Sequence, residues 1–83
     1  MQQLDKNNAI SLGLRIKALR LSESKSLNAF VMKRGGVTTA TLSRVENGNV
    51  DVKLSTLIKI SSMLNVNIDE LLKGVSFDYS IIE

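Results

Sequence analysis

Apolar residues recur at helical spacing along most of the chain and proline is absent, so the pattern predicts an all-α core of about five helices. Leu12, Ile16 and Leu19 form the inward stripe of a first helix, capped by Asn8 or Ser11, with Arg15, Lys17 and Arg20 off that stripe. A polar connection through Leu21-Ser22-Glu23-Ser24-Lys25 follows. Ser26 is placed to cap a second helix that buries Leu27, Phe30 and Val31 and stops at Gly35-Gly36. A fourth helix, from about Leu54 to Leu64, turns Leu54, Leu57, Ile60, Ser61 and Leu64 inward, with Asp51 or Lys53 near its start. Asn65 sits where a left-handed residue would end it. Asn67, with Glu70 three residues later, makes a capping-box-like start to a fifth helix that buries Ile68, Leu71 and Leu72 and ends at Gly74.

The third helix is the most distinctive. In Thr38-Thr39-Ala40-Thr41-Leu42-Ser43-Arg44-Val45-Glu46-Asn47-Gly48, Thr38 is a good N-cap and Gly48 suits the left-handed position past the helix end. Leu42 and Val45, with Val37 before the cap, face inward. Thr39, Ala40, Ser43, Arg44 and Asn47 then face outward. All are short or flexible and none is a carboxylate, so base edges and phosphates can approach this helix.

Beyond Gly74 the period changes from helical to two. Val75, Phe77, Tyr79 and Ile81 alternate with Ser76, Asp78 and Ser80, which predicts a short C-terminal β-strand. An isolated apolar strand leaves its edge unpaired, so Val75, Phe77, Tyr79 and Ile81 are expected to pair with a second copy across a two-fold axis, folding back on its own core being the alternative. The chain thus divides into a flexible N-terminus over 1–10, with Met1 to Lys6 frayed, a helical domain over 11–74 and a dimerisation tail over 75–83.

Composition narrows the chemistry. At 83 residues there is room for one domain and one modest core, and nothing resembles a signal peptide or a membrane span, so a cytoplasmic protein is expected. With no cysteine and no histidine, disulfides, the usual zinc sites, thiol nucleophiles and imidazole bases are excluded. No nucleophile and base stand at a persuasive spacing, so no enzyme is expected, and neither a cofactor nor a metal site. Asp69-Glu70 reads as the acidic first turn of a helix rather than a metal site. The net charge of +3 leans toward an anionic partner.

Leu12-Gly13-Leu14-Arg15-Ile16-Lys17-Ala18-Leu19-Arg20, Gly36-Val37-Thr38, Leu42-Ser43-Arg44-Val45-Glu46-Asn47-Gly48, Leu57-Ile58-Lys59-Ile60 and Asn67-Ile68-Asp69-Glu70-Leu71-Leu72 together resemble the Cro/phage-repressor (XRE-type) helix-turn-helix family. The resemblance implies a five-helix, lambda-repressor-like domain. Its second helix would cross the DNA backbone and its third would lie in the major groove, usually as a two-fold dimer on a palindrome. By resemblance, base-reading positions fall on Thr39, Ala40, Ser43 and Arg44. Phosphate contacts fall on Asn47 and Lys53, with Thr38 at the cap beside them. Arg20 and Glu46 match an internal ion pair.

Between Arg20 and Val37 the chain is one residue longer than the common pattern, either before helix 2 or in the Lys33-Arg34-Gly35-Gly36 turn. The turn is favoured, because Ser26 then caps and Phe30-Val31 take the core positions. The phosphate-binding glutamine that often starts helix 2 is then replaced by Leu27, or by Asn28 in the other register. After Asn47-Gly48 the usual basic stretch is Asn49-Val50-Asp51, which weakens the backbone grip. Lys33 and Arg34 read as solvated turn charges.

These readings point to a sequence-specific double-stranded DNA-binding regulator, a homodimer that represses by occluding a promoter. One alternative is an antitoxin that also masks a toxin, through the tail or the face opposite helix 3. Another is a protein-interaction module that has lost DNA binding.

Overall fold

The computed structural model describes residues 2–80, with side chains from Lys6 onward. It contains α1 (Gln2–Leu21), α2 (Leu27–Arg34), α3 (Thr39–Glu46), α4 (Leu54–Met63) and α5 (Ile68–Lys73), and no strand among the described residues. The core gathers at least one residue from every helix, with Ile16, Leu42, Ile60 and Leu71 fully buried and Phe30 and Val45 nearly so. Each predicted helix is present. The inward stripe of α4 is shifted, however: Leu54 is 66% exposed, whereas Met63 is buried. Leu54 occupies the first turn, ahead of the point where α4 reaches the core, and Met63 closes the stripe under the Gly36 turn.

Several ends differ from expectation. α1 starts at Gln2, so Asn8 and Ser11 lie inside the helix and cap nothing, and residues 2–10 of the segment expected as a flexible N-terminus are helical. Two contacts hold this first part. Ile10 packs against Gly48, and the Asn8 carboxamide bonds the tail, its Nδ2 donating to the Asp78 carbonyl at 3.0 Å while its Oδ1 accepts from the Asp78 amide at 2.7 Å. At α5 the Asn67 side chain makes no capping bond. Asn65 does adopt the left-handed conformation, with φ 59°, that turns α4 into α5.

The expected strand is corrected by the same contacts. Val75 and Phe77 are half-buried against the protein's own core, while Ser76, Asp78 and Tyr79 are exposed. Phe77 sits beside Leu12, Val50 and Val52. One-sided burial of an extended segment produces a period of two without any partner strand. The Asn8 carboxamide supplies the pair of hydrogen bonds that a neighbouring strand would give to Asp78. Ser80 holds the Asp78 carboxyl below its ordinary range through hydrogen bonds from its hydroxyl and its amide. Ile81 lies outside the described residues.

Gly13 sets the distance between α1 and α3. A Cβ there would lie 2.6 Å from the Glu46 carbonyl oxygen and also against the Val45 carbonyl, both backbone atoms. Alanine is favoured over glycine within a helix by about 1 kcal/mol. Overpacking against backbone costs about 1–3 kcal/mol, so the clash wins. Gly13→Ala is therefore expected to lower the urea unfolding midpoint; an unchanged or raised midpoint would show that α1 and α3 can separate freely.

Candidate nucleic-acid interface

The third helix is built as its sequence indicates. The Thr38 hydroxyl accepts from the Thr41 amide at 3.1 Å, and Gly48, with φ 70°, takes the left-handed position after the end. Leu42 and Val45 are buried, which leaves Ala40, Arg44 and Asn47 exposed and Thr39 and Ser43 half-exposed on the outer side. α2 abuts it. Ser26 caps α2 by accepting from the Ala29 amide at 3.1 Å, and Phe30 is buried, both as the sequence pattern predicts. Asn28, exposed in the first turn of α2, accepts from the Thr39 hydroxyl at 3.0 Å. The two helix starts are thereby tied together on one surface. Lys53, exposed, precedes the first residue of α4.

What fixes α3 is a buried ion pair. Arg20 donates through Nε to Glu46 Oε2 at 3.0 Å and through Nη2 to Oε1 at 2.7 Å, and the two side chains are 5% and 3% exposed. Nη1 donates to the carbonyls of Ser24 and Lys25. One guanidinium thus joins the end of α1, the loop before α2 and the last residue of α3. Hydrogen bonding to Glu46 raises the Arg20 pKa beyond its already high ordinary value.

The other arginines divide in a way that bears on function. Arg15 donates to the carbonyls of Leu71 and Glu70 and so closes the end of α5. Arg34, expected as a solvated turn charge, donates to the Met63 carbonyl at 2.6 Å, pairs with Glu23 and lies over the Phe30 ring. Its position at the end of α2, facing the end of α4, draws it into structure. Among the described residues the Arg44 side chain alone of the four makes no hydrogen bond or ion pair within the chain. The roles of Arg15 and Arg34 have no local signal, because their acceptors are carbonyls distant in sequence.

Among the described residues no three or more carboxylates gather where they could hold a metal ion. No helix of the described residues is long and apolar enough to cross a membrane.

The ion pair makes a direct prediction. Glu46→Ala alone should destabilise by about 3–5 kcal/mol, because it strands a buried guanidinium. Adding Arg20→Met should recover part of that loss. A denaturant double-mutant cycle with no coupling would show that the two charges act independently.

A family model described as Helix-turn-helix matches residues 16–71. Among solved structures the chain is similar to the restriction-modification controller protein C.AhdI from Aeromonas hydrophila. The TM-score is 0.70 at 23% identity, over 80% of this chain and 94% of that one. No curated protein sequence matches significantly. With the capped α2–α3 pair in place and most of the chain matched, this protein belongs to the helix-turn-helix family of DNA-binding regulators, of the Cro/phage-repressor (XRE) type.

Proposed function

We propose that the chain is a sequence-specific repressor that binds a palindromic operator as a homodimer, with α3 in the major groove. The observation that carries this reading is the uncommitted Arg44 guanidinium on the outer side of a capped helix. Arginine binds guanine bidentately, and Thr39, Ala40 and Ser43 are small enough to let it reach a base edge while touching adjacent bases themselves. Asn47, Lys53 and the α2 start at Asn28 contact phosphate, as does the α3 start at Thr38. Occlusion of a promoter needs no effector domain.

The dimer contact belongs on α4 and α5 rather than on the tail, whose Val75 and Phe77 are engaged with the protein's own core. Leu54 and Ile58 stand one turn apart on α4, 66% and 50% exposed. Ile58 opens into a groove of about 430 Å³ with Val66 and Ile68 at the α4–α5 junction. Exposed Lys59 on α4 and exposed Asp69 and Glu70 on α5 flank this face with both signs of charge. A two-fold axis can then set each lysine against the other copy's carboxylates. Two recognition helices held about 34 Å apart would meet successive major grooves.

Arg44→Ala is expected to cost about 1–3 kcal/mol on the preferred site and to relax preference at one base pair per half-site. Lys53→Ala should weaken all sequences alike and flatten the salt dependence. A binding selection in which Arg44→Ala keeps both affinity and base preference would remove α3 from the groove. For the dimer, Ile58→Glu should give a monomer in sedimentation that keeps half-site affinity but loses the tighter binding to a full palindrome. A stable Ile58→Glu dimer would move the contact elsewhere.

A further inference from the structure

α1 carries a second apolar stripe that the core does not use. Leu14 is 60% exposed and Leu21 45%, Ala18 beside them is also exposed, and Ile10, packed on one side against Gly48, is 36% exposed. Together with Lys17, the residues Ile10, Leu14 and Leu21 follow the alternating four- and three-residue spacing of a coiled-coil seam, about 16 Å long at the helical rise. The core-facing residues Leu12, Ile16 and Leu19 lie on the other side of the same helix.

Charge says what can cover this seam. Lys17 sits within it and Lys6 lies along the same edge, both exposed. From Lys6 to Leu21 the chain has no aspartate or glutamate. Two copies of α1 packed through residues 6–21 would bring lysines toward lysines with no carboxylate in that stretch to offset them, which disfavours self-pairing. The α4–α5 face, by contrast, carries both signs. A nucleic acid would meet Leu14 and Leu21 at the centre of the contact, which offer a phosphate nothing.

We propose that the outer face of α1 docks an amphipathic helix of a second protein, one that sets apolar residues against Ile10, Leu14 and Leu21 and a carboxylate against Lys17. The contact is separate from α3 and does not depend on the DNA-binding reading, so it can be tested without DNA.

The test titrates the isotope-labelled full chain with two synthetic helical peptides that share a leucine seam, one flanked by glutamates and the other by lysines, and follows amide shifts by NMR. The glutamate peptide should shift residues along α1 and bind at least about tenfold more tightly than the lysine peptide. Lys17→Glu should invert that preference. Leu14→Ser should weaken the glutamate peptide about tenfold while leaving the core amide shifts and the sedimentation of the protein unchanged. Equal binding of both peptides, shifts centred away from α1, or no binding at all would overturn the proposal. A change to monomer on Leu14→Ser would also overturn it, by assigning the face to a second copy.

Discussion

The orientation of α3 depends on the Arg20–Glu46 pair. Both charges are almost wholly removed from water, and an isolated ion in that position would cost several kcal/mol. The geometry compensates: two bonds to the carboxylate and two to loop carbonyls account for most of the guanidinium's donors. Because the acceptors lie on α3 and on the loop before α2, the same group that neutralises Glu46 also sets the entry of α2. Gly13 completes the clamp by letting α1 approach the carbonyls at the end of α3. The outer surface of α3 is therefore fixed from behind, by groups buried on its inner side.

A small domain has few residues to give to both stability and binding, and the arginines show how the two are separated. Arg15, Arg20 and Arg34 close helix ends or neutralise carboxylates inside the molecule. Arg15 and Arg34 satisfy carbonyls that the ends of α5 and α4 would otherwise leave unpaired, where cationic groups are also favoured by the helix dipole, while Arg20 takes up two carbonyls of the loop before α2. Arg44 remains for an external partner. Net charge alone could not make this distinction, since all four contribute equally to it.

Surface apolar residues separate in a similar way. Exposed Lys59, Asp69 and Glu70 accompany Leu54 and Ile58 on α4 and α5, while between Lys6 and Leu21 the exposed stripe of Ile10, Leu14 and Leu21 is accompanied by Lys6 and Lys17 and by no carboxylate. Both are the surfaces proposed above as contact faces, on the ground of their exposed apolar residues. Complementarity of charge distinguishes a face suited to its own copy from one suited to a different protein.

The sequence by itself determined the five helices, the Ser26 and Thr38 caps, the left-handed Asn65 and Gly48, and the outward set on α3, because each follows from local periodicity or a local backbone requirement. The Arg20–Glu46 pairing was legible only by resemblance. Tertiary structure alone decided the rest. It extended α1 through Asn8 and Ser11, because Asn8 found the Asp78 backbone across the fold and Ile10 found Gly48. It made an apparent strand of Val75 and Phe77 into a segment packed on its own core, since alternation records which side is buried and not what lies against it. It drew Arg15 and Arg34 onto helix ends far away in the chain, and it exposed Leu54 by placing the first turn of α4 beyond the core. A residue's neighbours across the fold are set by how helices cross, which no local pattern encodes.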